Sequence, residues 1–329
     1  MKTPYSFSSS IGEIIARYLA LKLSLGRKYL TEYKILRDLD SFLYKSQSSL
    51  TAESFVAWCY TKSHLNTTVQ RKRMQVVRNF CLYRKRKELL CFVPDLLQFP
   101  KASPLPQAYI FTEVDIIRLL DSINQLKPNI RSPLRRENFR LALILLYTSG
   151  LRCGELLRLT IGDYNSKEHL LLIRESKFHK SRIIPLSKDG WAELEAYLKI
   201  RCSHRIPHSA DSPLLWNAYE KRGSYNENAL RRTFRPLFCA LNIHTMGGHL
   251  PRVYDFRHTF AVHALLRWYR EGLDVQAKLP FLSIYMGHVS IVSTEYYLQF
   301  IGESVDLASE RFAKHCSKLI SLLDEGGLL

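Results

Sequence analysis

Three prolines within QFPKASPLPQA (98–108) decide how this chain can fold. Each removes a backbone donor and disfavours helix at the residue before it, so the stretch reads as an extended linker. The 329 residues are thereby cut into two units, 1–97 and 110–329, joined by a linker at 98–109. Both pieces are of ordinary domain size.

Upstream of the cut, residues 1–10 are polar, and apolar groups then recur at helical spacing. Ile11, Ile14, Ile15, Tyr18 and Leu19 mark a helix over 11–23. Tyr33, Leu36, Leu39, Phe42 and Leu43 mark another over 31–45. Thr51 is an N-cap for TAESFVAWC with Ser54 at N3, and Thr67 or Thr68 precedes a fourth helix, VQRKRMQVVRNFCLYRKRK. The pattern predicts a four-helix domain over 11–90 with no strand signal.

The fourth helix sets Val69, Met74, Val77, Phe80 and Leu82 as an apolar stripe. Its expected solvent face is Arg71, Lys72, Arg73, Arg78, Arg84, Lys85, Arg86 and Lys87, with Glu88 the single acid. Such a face can neutralise several phosphates; the alternative is an ordinary solvated face. The whole chain carries 48 Lys+Arg against 30 Asp+Glu, and residues 1–100 hold 17 against 7. An excess of this size points to a polyanionic partner, nucleic acid first.

Other classes are excluded. The seven cysteines form no CxxC pair, so neither a zinc framework nor a disulfide scaffold is expected, which fits a reducing cytosol. No apolar run suits a signal peptide and none reaches 18 residues, so no membrane association is expected.

Downstream, FTEVDIIRLLDSI (111–123) is a helix with Thr112 as N-cap, Asp115 at N3, and Val114, Ile117, Leu120 and Ile123 toward a core. RENFRLALILLYTSG (136–150) is strongly apolar and ends where Gly150 can take a left-handed C-cap. HLLLIRES and SRIIPLS alternate around KFHK and predict a β-hairpin with a basic tip. Helices follow over 189–202 and 226–241, the latter with a basic face at Arg231, Arg232 and Arg235; residues 203–225 between them look loop-like. This half is mainly α with a small sheet.

SGLRCGEL, SKFHKSRIIPL, YDFRHTFA, MGHVS and STEYYLQ come in this order. Together they resemble the catalytic domain of tyrosine recombinases, the phage integrase and Xer-type family. The nine-residue spacing from His288 to Tyr297 is shared. The basic helical domain resembles that family's core-binding (SAM-like) domain, and the likeness spans about residues 11–310. Position by position, the resemblance implies that Arg152 and Arg257 hold the non-bridging oxygens of a scissile phosphate. It implies Lys177 as proton donor to the leaving 5′ oxygen, with Lys180 a close rival. It implies His288 as a hydrogen-bond donor and Tyr297 as the nucleophile, Tyr296 being the rival one residue off.

A phosphodiester transesterification needs those parts: a nucleophile, charge neutralisation and a leaving-group acid. Planar, always-charged arginines suit the second task. No carboxylate cluster for a metal and no nucleotide-binding glycine loop is visible, so neither metal nor ATP is expected. One departure matters. The family has histidine three residues before the second arginine, where this chain has Tyr254. A phenol, with a pKa near 10, is a poor base but can donate a hydrogen bond to phosphate. His258 points about 100° from Arg257 on a helix and is not expected to replace the histidine. His263, on the apolar face of the same helix, reads as a packed histidine.

The expected activity is site-specific DNA recombination through a 3′-phosphotyrosyl intermediate. The competitors are a silent DNA binder, motivated by Tyr254, and a type IB topoisomerase-like enzyme. The resemblance implies a C-shaped clamp on double-stranded DNA and a homo-oligomer, two protomers per site and four in a synapse, with room for other recombinases or accessory proteins. A cytoplasmic, nucleoid-associated protein would follow. The amphipathic tail 302–320 either docks on a neighbouring protomer or packs on its own domain.

Overall fold

The computed structural model describes residues 6–27, 29–101, 107–130, 132–174, 181–218 and 223–302. The tail from 303 onward lies outside the described residues. Packing divides the chain into Met1–Pro106 and Gln107–Leu329. Among the described residues no helix is long and apolar enough to cross a membrane.

The first unit consists of α1 (Gly12–Ser24), α2 (Leu30–Lys45), α3 (Ala52–Tyr60) and α4 (Thr67–Arg84). Ile15, Leu19, Leu36, Leu39, Phe55, Trp58, Val77 and Phe80 form its core. Thr51 and Ser54 open α3 with a reciprocal capping box, as their spacing predicts. At α4 the cap differs from expectation: Asn66 Oδ1 accepts from Val69 N at 3.0 Å, which puts Thr67 inside the first turn. The apolar stripe of α4 also differs. Met74, Val76, Val77, Phe80 and Cys81 are buried, while Val69 and Leu82, in its first and last turns, are exposed.

The second unit is built on α6 (Arg135–Ser149), which lies against α5 (Glu113–Asn124), α8 (Lys188–Ser203) and α10 (Asp255–Arg270). Phe139, Leu141, Ala142, Leu143, Leu145 and Leu146 bury nearly its whole circumference, the mark of a central helix. A Thr112–Asp115 capping box opens α5. Its buried residues are Asp115, Ile116, Leu119 and Ile123, whereas Val114 and Ile117 are 63% and 58% exposed, against the expected stripe. The helix is apolar at two adjacent phases, and its partner chooses between them.

The sheet is antiparallel with order β1–β2–β3: β1 (Tyr164–Asn165), β2 (Leu170–Ile173) and β3 (Arg182–Pro185). Leu171 faces Ile184 in the register, and β1 extends the predicted hairpin by a short third strand. A short helix α7 (Cys153–Leu156) follows α6, and α9 (Glu227–Ala240), α10 and α11 (Val275–Met286) complete the body. Residues 204–218 form no helix or strand; buried Arg201 holds them by donating to the carbonyls of Pro207, Pro213 and Leu214. The described chain ends in α12 (Val292–Glu295), a 3-10 turn at Tyr296–Leu298 and α13 (Gln299–Gly302).

Candidate active site

The site forms around the C-terminus of α11. A helix end leaves its last carbonyls without intrahelical donors and carries about half a negative charge. Here three successive carbonyls each receive an arginine. Arg182 Nε, from β3, donates to Tyr285 O at 2.8 Å; Arg257 Nη2, from α10, donates to Met286 O at 2.7 Å; Arg152 Nη2, before α7, donates to Gly287 O at 2.7 Å. Gly287 ends α11 at φ +67°, and a Cβ there would lie 2.8 Å from Arg182 Nη1. Only glycine allows both the left-handed turn and the close guanidinium.

Gly150 does the same at the other side. It ends α6 at φ +58° and a Cβ would meet Phe260 of α10 at 2.4 Å. Its carbonyl accepts from Arg257 Nη1 at 2.6 Å. The glycines of SGLR and MGH thus bring three helices close enough to share one arginine.

Glu155 balances part of this charge. Arg182 grips its carboxylate at both oxygens (3.0 and 2.9 Å), and Arg152 donates to it from Nη1 (2.6 Å) and from its backbone N (3.0 Å). Burial alone would push this carboxyl up; the hydrogen bonds and charges of Arg182, then Arg152, more than reverse it and hold it at about 2. Three guanidiniums against one carboxylate and one helix end leave the pocket positive. Arg257 is buried, which lowers it to about 10, and Arg152 adds to the shift; it stays charged at neutral pH. Its Nε is buried without a partner.

Tyr297 stands against this pocket. It is 2% exposed, whereas Tyr296 is 39% exposed. Burial pushes the Tyr297 phenol up to about 12, with Arg257 acting in the opposite direction. His288 stacks on its ring at 6.2 Å and shares a 2.8 Å hydrogen bond with buried Thr294 through Nδ1. Burial, then Arg257, Arg152 and Arg182, lowers His288 to about 4, so the ring is uncharged at neutral pH. Tyr254 lies at the N-terminus of α10, partly exposed, its ring 5.0 Å from that of His258.

Of the sequence-predicted set, Arg152, Arg257, Tyr254, His288 and Tyr297 therefore converge. Lys177 and Lys180 lie outside the described residues. Arg231 and Arg232 are exposed on α9. Arg231, Arg235, His249 and Arg252 line a cleft of about 460 Å³ that reaches Cys153, next to Arg152. On α4 the expected solvent face is corrected. Arg71 donates to Pro100 O, Arg78 to Pro94 O, Arg73 binds Asp38 and lies over Trp58, and Arg84 pairs with Glu88. Lys72, Lys85, Arg86 and Lys87 remain exposed. Sequence reasoning did not single out Arg182 or Thr294. Arg182 sits just past the basic hairpin tip, a signal overshadowed by the lysines.

The family model described as "Phage integrase family" matches residues 111–301, more than half of the chain. The chain belongs to this family. It is similar to y4rB of Sinorhizobium fredii, a protein named as an integrase/recombinase, at 30% identity over 93% of this chain and 98% of that one. It is also similar to the tyrosine recombinase XerD of Brucella suis, at 29% identity over 72% of this chain and 73% of the relative. Among solved structures, the fold matches the Tn1549 transposon integrase in complex with circular intermediate DNA. That match has a TM-score of 0.58 and 17% identity, and covers 88% of this chain and 95% of that one. The two-part helical architecture with a small antiparallel sheet is thus a tyrosine recombinase fold, and the family's business is DNA recombination.

Proposed function

We propose that this chain is an active site-specific recombinase that cuts and rejoins double-stranded DNA through a 3′-phosphotyrosyl link. The observation that carries the reading is the convergence of Arg152, Arg257, His288 and Tyr297 around the end of α11. Arg152 and Arg257 take the non-bridging oxygens of the scissile phosphate, and His288 donates a further hydrogen bond. Tyr254 contributes a phenolic donor where the family has histidine. Tyr297 Oη attacks phosphorus, the P–O5′ bond breaks, and Lys177 protonates the departing 5′ oxygen. A 5′ hydroxyl from a partner strand reverses these steps. The bond energy is kept in the phosphotyrosine, so the chain's own residues complete the cycle without ATP.

Exposed Arg231, Arg232 and Arg235 on α9 and Lys72 and Lys85 on α4 bind flanking phosphates. The relative bound to circular intermediate DNA supports a DNA substrate of this class. Assembly is through a homo-oligomer on DNA, two protomers per site and four per synapse, working in the cytoplasm at the nucleoid.

The test is a supercoiled plasmid carrying two copies of a DNA segment from beside the protein's own gene, selected for binding to it. Recombinant product supports the proposal. Relaxation without recombination identifies a topoisomerase-like enzyme, and binding with neither product identifies a silent DNA-binding member.

A further inference from the structure

The family's histidine is missing at position 254, yet a histidine stands one turn further along the same face. His258 follows Tyr254 by four residues, and on a helix such residues lie one above the other. Its ring sits 5.0 Å from Tyr254, 5.5 Å from Tyr297 and 5.9 Å from Tyr296 between centroids. From α10 its ring thus lies within 6 Å of all three tyrosine rings.

Two further observations concern its nitrogens. Nε2 lies 4.0 Å from Asp255 Oδ1, and Asp255 is itself buried and fixed by Arg252 through its backbone N (2.8 Å) and Nη2 (2.7 Å). Nδ1 is buried and has no hydrogen-bond partner. A buried polar atom left unpaired costs stability, and native proteins keep few of them. Such an atom beside a nucleophile invites a functional reading.

We infer that His258 accepts the proton of Tyr297 during strand cleavage and returns it during rejoining, in place of the histidine absent at 254. This rests on the recombinase reading above. Tyr297 Oη forms its bond to phosphorus as its proton passes to the lone pair of His258 Nδ1. The P–O5′ bond breaks and the electron pair leaves with O5′, which is protonated from the other side of the phosphate. In rejoining, the tyrosine oxygen leaves phosphorus and recovers the proton from the imidazolium. Burial keeps the imidazole of His258 neutral, lowering it to about 4 against the opposing pull of Asp255, so a lone pair is present at neutral pH. A phosphodiester anion bound at Arg257, the adjacent residue, would strengthen it as a base.

The experiment measures covalent adduct formation on a nicked duplex selected for binding, with wild type, His258→Ala and His258→Asn. Each protein is first matched for DNA affinity by gel shift. Two substrates are used, an ordinary phosphodiester and one with sulfur as the 5′ bridging atom, which needs no leaving-group acid. The expected result is a loss of roughly 10²- to 10⁴-fold for both His258 variants on both substrates. Added imidazole should restore His258→Ala.

Three outcomes overturn the inference: His258 variants within about threefold of wild type, recovery with the sulfur substrate, or a loss that imidazole does not restore. If wild type forms no adduct while binding the duplex, the recombinase reading itself fails, and the inference with it.

Discussion

Both units of this chain are rich in arginine, but they use it differently. On α4, Arg71 and Arg78 donate to loop carbonyls and Arg73 and Arg84 pair with Asp38 and Glu88. These are struts at a partly wetted surface, and each has its counter-group beside it. Around α11, Arg152, Arg182 and Arg257 also bind carbonyls, yet only one carboxylate, Glu155, serves Arg152 and Arg182, and Arg257, held by carbonyls, keeps an unpartnered Nε. A run of cations in a sequence therefore does not reveal a binding face. The local number of acceptors decides which arginines are structural and which retain capacity for an anion.

The sharpest way to break this contrast is to remove one arginine from each region. Arg257→Ala should reduce covalent cleavage by roughly 10³-fold or more, since a preorganised donor at developing charge is lost. Arg73→Ala should leave cleavage per bound protein unchanged. Single-turnover assays on a nicked duplex compare the two.

Carboxylates give the next effect. Glu155→Gln leaves buried arginines without their counter-charge and should destabilise the second unit by about 3–5 kcal/mol. Glu88→Gln removes an exposed partner and should cost under about 1 kcal/mol. Urea unfolding of the full chain measures both.

The same carboxylate sets an acid limit. Glu155 is held at about 2 against an ordinary value of 4.5. A lowered carboxyl contributes stability that is complete above about pH 4.5 and is lost as pH falls toward 2. The loss amounts to about 3 kcal/mol across that window. Urea midpoints between pH 5 and 2.5 should fall for wild type and change less for Glu155→Gln.

The smallest effect concerns the exposed cations. Lys72→Gln or Lys85→Gln should weaken DNA binding uniformly across sequences. Each should also lower the slope of log affinity against log salt by about 1. Arg71→Gln, whose guanidinium already serves Pro100, should change the slope less.

Much of the architecture was legible because it is local. The capping boxes of Thr51–Ser54 and Thr112–Asp115 and the left-handed glycine at 150 are written in adjacent residues. The buried face of α5 was not, because Ile116 and Ile117 are equally apolar and only the packing partner separates them. β1 is two residues long, too short to show alternation, and Pro280 within α11 disguises a helix. In the site, motif order located Arg152, Arg257, His288 and Tyr297, but not how they are held. The shared carbonyls of residues 285–287 are backbone groups and leave no trace in side-chain identity. The closeness of His258 to Tyr254 comes from their shared helix face, four residues apart, which adjacency to Arg257 in sequence does not show.

The decisive measurement is trapping of the protein on a nicked suicide duplex in EDTA, comparing wild type with Tyr297→Phe and Tyr296→Phe. A covalent band present in wild type and Tyr296→Phe and abolished in Tyr297→Phe is the predicted result. A band that survives in Tyr297→Phe, or that only Tyr296→Phe removes, would contradict the assignment of the arginine pocket and its buried tyrosine as the place where DNA is cut.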